Sequence, residues 1–164
     1  MARMRSTDAF MKRLNPDMCV VTAVADGERS GCLVGFWTQC SIDPPRLTVW
    51  ISKANHTHRV ALRAERLTVH LLTPDQHGLA ALFGGETGDD TDKFARAQWR
   101  EGPGGSAVLT AAAAWTVGVV QRRFDTGDHV AHVLAPEQGG ERPGARGRLL
   151  RLEDVSDVEP GHPA

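Results

Sequence analysis

Residues 35–58 read GFWTQCSIDPPRLTVWISKANHTH, and this stretch decides what kind of fold the chain can adopt. Pro44 and Pro45 have no backbone N–H, so Asp43-Pro44-Pro45 interrupts any ladder of strand hydrogen bonds and must be a turn or an edge. Beyond it, Arg46 to Ser52 alternates as a strand does. Before it, Gly31 to Thr38 is an apolar run, joined through Asp26-Gly27-Glu28-Arg29 to Met18–Ala25, which is rich in β-branched residues. Two such runs around an Asp-Gly predict a β-hairpin.

Working outward, Ser6 or Thr7 can cap a short helix carrying Phe10, Met11 and Leu14 at helical spacing, stopped by Asn15-Pro16. His56 to Glu65 has helical periodicity, and Leu67 to Leu72 reads as a strand. Pro74 opens a helix through Leu79, Leu82 and Phe83 that Gly84-Gly85 closes. Glu86–Thr91 is a surface loop, Asp92–Gln98 a helical turn, and Gly102-Pro103-Gly104-Gly105 a second loop. Ala112–Arg123 and His129–Leu134 are strand candidates joined by Asp125-Thr126-Gly127-Asp128. Glu137–Arg146 reads as a loop and Gly147–Leu152 as a last strand. Six or seven strands with two or three short helices, in this order, predict an α+β, mainly β barrel rather than regular βαβ units. Residues 1–155 read as one domain, and the polar, proline-bearing stretch 156–164 as a flexible tail.

A length of 164 residues suits one apolar core, and 41% hydrophobic with 24% charged residues argues against global disorder. The net charge of -1 is spread without a basic stripe, so no nucleic-acid partner is expected. No apolar run approaches the ~20 residues of a membrane span, and none of signal-peptide length follows the N-terminus. A cytoplasmic location without membrane contact is the expectation. Cys19, Cys32 and Cys40 form no CxxC pair and are odd in number, which favours reduced thiols buried as small hydrophobes.

Common catalytic signatures are missing: there is no Walker loop, no GxGxxG after a strand, no GxSxG and no HExxH. His56 with His58, and His129 with His132, lie close in sequence, but neither pair has a cysteine or carboxylate set at a familiar ligand spacing, so no metal site is expected. His70, His77 and His162 read as solvated or hydrogen-bonded surface histidines.

Ser52 to Thr57 offers hydroxyl, amide and ammonium donors just ahead of a helix, where an anion could be held. The plainer alternative is a helix cap and a solvated turn. This segment falls in a series: Gly35–Ser41 running into Ile42-Asp43-Pro44-Pro45; Ile51–His58; Leu82-Phe83-Gly84-Gly85 with Asp92-Lys93-Phe94; and Gly127-Asp128-His129 opening a late strand. In type and order the series resembles the flavin reductases of the FMN-binding split-barrel family, over about Phe10 to Leu152.

The resemblance implies a split β-barrel that binds FMN, with FAD as the alternative, and takes a hydride from NADH or NADPH. It implies a homodimer that supplies reduced flavin to a partner monooxygenase. Ser52, Lys53, Asn55 and Thr57 would then hold the phosphate end, with Lys93 and Phe94 closing over it and Phe83-Gly84 belonging to the same segment. The flavin ring would lie against Trp37, Thr38, Gln39, Cys40 and Ser41. His129 would orient the nicotinamide, with Asp128 fixing the turn or the imidazole. A bare turn opening a strand is the alternative for that pair. Neighbouring strand positions face opposite ways, so at least one of Phe36 and Trp37 belongs to packing rather than to the cofactor. Trp37 and Gln39 are bulkier than the small residues expected beside the ring, and the chain has no tyrosine to stack on a cofactor. The same fold also leaves open an oxidoreductase using FMN or a deazaflavin on another small substrate, and a flavin- or haem-binding module without turnover.

Overall fold

Asp26 and Gly27 both take positive φ, 52° and 77°, the backbone that a tight two-residue hairpin requires. They join β1 (Cys19–Ala25) to β2 (Glu28–Val34), with Ala25 opposite Glu28. The turn is therefore two residues, not the four expected, and the second strand starts earlier. It also ends earlier. The expected strand Gly31–Thr38 breaks at Gly35-Phe36, and a separate strand, β3 (Trp37–Ser41), follows. The computed structural model that shows this describes residues 6–89 and 92–161.

The remaining strands are β4 (Arg46–Ser52), β5 (Arg66–Leu71), β6 (Trp99–Glu101), β7 (Ala107–Leu109), β8 (Ala114–Asp125) and β9 (His129–Glu141). Three short helices accompany them: α1 (Asp8–Met11), α2 (His56–Ala61) and α3 (His77–Gly85). Seven strands form one antiparallel sheet in the order β2-β1-β5-β8-β9-β4-β3, and β6 pairs with β7 as a separate ribbon. The sheet curls without closing. Its two edges, β2 and β3, are consecutive in the chain, and Gly35-Phe36 carries the backbone from one to the other, where Phe36 O accepts the N–H of Trp50 at 2.9 Å. This is the split barrel that the sequence leads one to expect.

Strand alternation sorts the core into two clusters. Cys19, Val21, Ala23 and Ala25 face the interior of the curl, with Val49, Ile51, Leu67, Val69 and Leu134, and α2 plugs that interior with Val60 and Ala61. Met18 and Val20 face outward under α3, joining Ala80, Leu82, Phe83, Leu109 and Leu150. β1 is thus buried on both faces.

Several expectations need correction. The ribbon β6–β7 around Gly102–Gly105 has strands of three residues each, too short for a periodicity to register. β9 runs to Glu141, through the stretch read as a loop, because its exposed residues 138–141 pair by backbone with Ala114–Val117. Polar side chains hid that pairing. Gly147–Leu152 is not a strand; only Arg151 forms a bridge, to Asp17, while the fully buried Leu150 anchors the segment. Cys40 is exposed, unlike the buried Cys19 and Cys32.

His70 is not a surface residue. It is completely buried, its Nδ1–H donating to Val20 O at 3.0 Å while Nε2 accepts the N–H of Leu109 at 3.0 Å, so one ring staples the main sheet to the ribbon. Burial pushes its pKa down to about 4. His77 is at the surface, paired with Asp157, and His162 lies outside the described residues, as does part of the Glu86–Thr91 loop. His132 is also fully buried, and Arg123 ties it to the end of α2: Nε donates to His132 Nδ1 at 3.2 Å, and Nη2 to Ala61 O and Ala64 O at 2.8 and 2.7 Å.

Candidate functional site

The place where the two edges of the sheet meet is also where a mostly apolar concavity opens. A groove of about 500 Å³ is bounded by Cys32 to Phe36 at the end of β2, by Trp50 and Ser52 of β4, by Gly84 at the end of α3, and by the segment from Leu152 to Pro160. Met18, Leu33, Val34, Trp50, Leu152, Val155 and Val158 give it apolar walls, while Ser52, Asn55 and His129 supply polar groups. That composition, mostly apolar with a few convergent polar groups, is the usual chemistry of a site for a flat organic ligand.

Each polar group is held by its neighbours. Ser52 and His129 are cross-strand partners of β4 and β9. Ser52 Oγ accepts the N–H of Ala54 at 3.2 Å, which leaves its hydroxyl proton to donate elsewhere. Asn55 caps α2 by accepting the N–H of Thr57 on Oδ1 at 2.9 Å. His129 Nδ1 is 2.7 Å from Asp128 Oδ1, and its ring packs on Phe36 with centroids 4.9 Å apart and planes at 51°. Asp128 sits below the usual carboxylate pKa, chiefly through that hydrogen bond. The turn carrying His129 is tied to the Ser52 turn by Lys53 N–H donating to Asp128 O at 2.9 Å.

Of the residues expected to touch a cofactor, Ser52, Asn55, Gly84 and His129 line the groove. Thr57 is fully buried and does not line it, its hydroxyl lying 2.8 Å from that of Ser30. Lys53 points outward and pairs with Asp125 at 2.7 Å. Lys93 is buried, its ammonium donating to Gly31 O and Phe83 O, both at 3.0 Å, and burial lowers its pKa. It therefore joins β2 to α3. Phe83 and Phe94 are core residues, edge to face at 5.8 Å.

The β3 residues lie apart from the groove. Trp37 packs against the interior cluster and donates its indole N–H to Asp17 O at 2.7 Å. Thr38, Gln39 and Cys40 are exposed on the edge strand, Cys40 Sγ accepting from Thr48, and Ser41 sits half-buried at its end. Sequence reasoning missed Cys32, Leu33, Val34, Trp50 and the residues after Leu152. The alternation of Phe36 and Trp37 held part of the signal, since one of the two had to face away from the core. Among the described residues, no three His, Cys, Asp or Glu side chains converge as metal ligands, and no helix is long and apolar enough to cross a membrane.

Comparison with known proteins agrees with this architecture. The flavin reductase like domain family matches residues 11–154, and the chain belongs to that family. It is 30% identical over 127 residues to a protein of Rhizobium meliloti (strain 1021) named "Probable flavin reductase", covering 73% of this chain and 40% of that one. The chain thus spans about two fifths of that relative's length. It is 28% identical over 143 residues to the flavin-dependent monooxygenase reductase subunit HsaB of Mycobacterium tuberculosis, covering 86% of this chain and 75% of the subunit. Among solved structures, an FMN-binding protein from Thermus thermophilus with bound p-hydroxybenzaldehyde superposes with a TM-score of 0.79 at 25% identity, over 91% of this chain and 86% of that one. Nitrilotriacetate monooxygenase component B from Mycobacterium thermoresistibile gives 0.78 at 24% identity, over 87% and 78%, a likeness of fold.

Proposed function

We propose that the chain is an NAD(P)H-dependent flavin reductase that binds FMN, or FAD, in the groove lined by Phe36 and His129 and supplies reduced flavin to a partner monooxygenase. The observation that carries this reading is the groove itself: apolar walls and a polar end, in a volume within the roughly 300–1,000 Å³ typical of small-ligand sites. The residues fit a flavin. Leu33, Val34 and Trp50 offer an apolar surface for a planar ring, and Ser52 offers a hydroxyl donor for the polar tail. A bound flavin supplies the hydride-accepting chemistry.

The chain's own work is binding and orientation. Apolar walls exclude water from one side of the site, and His129, steadied by Asp128 and Phe36, presents a ring edge that can orient a nicotinamide amide. No side chain here needs to move a proton for hydride transfer. The exposed rim residues Phe36 and Leu152, 56% and 44% exposed, suit coverage by a second copy of the chain, which favours a homodimer. A second reading keeps FMN bound and reduces another small substrate; the likeness to the Thermus protein holding p-hydroxybenzaldehyde favours it.

An absorbance scan of the purified protein and NADH or NADPH oxidation assays with FMN, FAD and riboflavin test the proposal. Oxidation that scales with added free flavin supports the reductase. Tightly bound yellow cofactor with no dependence on added flavin supports the second reading. No change in flavin fluorescence at micromolar concentrations defeats both.

A further inference from the structure

We propose that residues 156–161 form a strap that builds one wall of the groove and governs how long a flavin stays in it, an inference that rests on reading the groove as a flavin site. Beyond a 3-10 turn at Leu152–Val155, the chain folds back along the end of α3. Val158 N–H donates to Val155 O at 3.0 Å, and Gly161 N–H to Gly84 O at 3.3 Å. Asp157 pairs with His77 at the start of the same helix, at 2.9 Å. Val158 packs against the outer core cluster, and both it and Pro160 line the groove.

The seat is shaped for the strap. A Cβ at Gly85 would come within 3.2 Å of Val158 Cγ1, and one at Gly161 within 2.6 Å of the carbonyl carbon of Glu86. Gly85 therefore does more than stop a helix, because the absence of a side chain there lets a second segment lie close. Among the described residues, an exposed ion pair, two backbone hydrogen bonds and one half-buried valine tie it down. Exposed pairs contribute little, so this segment belongs to the low-stability end of the molecule, able to lift while the sheet stays folded. The family match covers residues 11–154, so the strap lies outside the matched residues. Lifting it would remove Val158 and Pro160 from the wall and open the groove along α3. Ligand release then depends on the strap, whereas the polar contacts at Ser52 and His129 do not.

The test is stopped-flow dissociation of FMN, with equilibrium fluorescence titration, for three proteins: the parent, a chain ending at Val155, and full-length Val158→Asp. Both variants should release FMN about tenfold faster, with the affinity loss carried by the off-rate. Val158→Ile should restore the parent rate. Where truncation also lowers the melting midpoint, Val158→Asp decides. Parent-like release from Val158→Asp overturns the strap. If the parent itself binds none of FMN, FAD and riboflavin, the groove reading fails first and the strap falls with it, which distinguishes the two failures.

Discussion

The imidazole of His129 and the ring of Phe36 lie 4.9 Å apart at 51°, one carried by the strand that starts after the Asp125–Asp128 turn, the other by the two-residue link between the edges of the sheet. Each holds the other at the mouth of the groove. His129→Ala should raise the Michaelis constant for the nicotinamide about tenfold, roughly 1.4 kcal/mol of lost positioning, while flavin affinity stays near the parent value. Steady-state kinetics and flavin titration on the same preparation check it, and equal losses in both would remove His129 from the nicotinamide role.

Acid should destabilise the protein through His70. Its folded pKa, about 4, lies below the ordinary 6.5, so between those values the unfolded chain binds a proton that the folded chain does not. Stability is therefore complete above pH 6.5 and falls as pH drops toward 4, by about 3 kcal/mol from this residue. His132, also held near 4 by burial and by Arg123, adds in the same direction. Urea unfolding from pH 7 to pH 4.5 should show the fall, and His70→Gln should flatten it. An unchanged slope in that variant would acquit the residue.

Arg123 holds the end of α2 and the His132 ring with three hydrogen bonds from a partly buried guanidinium. Replacing it by Met keeps much of the stem and leaves the carbonyls of Ala61 and Ala64 without that donor. We expect a loss of about 2–4 kcal/mol in urea unfolding, the scale of losing charge-assisted hydrogen bonds. A change within experimental error would mean that water replaces the guanidinium freely.

Gly31 sits where β2 passes under Phe83, and a Cβ there would meet Phe83 Cε1 at 2.7 Å. Phe83 is 1% exposed and has little room to withdraw. Gly31→Ala should cost about 1–3 kcal/mol by overpacking. Gly78 in α3 has nothing within 4 Å of such a Cβ, so Gly78→Ala should be neutral or stabilise by up to ~1 kcal/mol. Thermal melts of the pair give the comparison. Identical midpoints would show that Phe83 yields.

The chain on its own dictated the local elements. Asp26-Gly27 makes a hairpin because both residues tolerate positive φ, Pro44-Pro45 ends a strand because neither has an N–H, and Asn55 caps α2 with its own side chain. The ordered segments from Gly35 to His129 carried the family. These signals act over a few residues, so sequence order displays them. Tertiary structure decided everything that depends on partners far away in the chain. It turned Phe36 into the groove and Trp37 into packing, buried Lys93 against two carbonyls instead of leaving it at an anion site, and carried β9 to Glu141 on backbone pairing alone. It also brought Val155 and Val158 to the groove across the length of the fold. A side chain's periodicity reports that it needs cover, but which surface provides the cover is settled only when the curled sheet brings its two edges together.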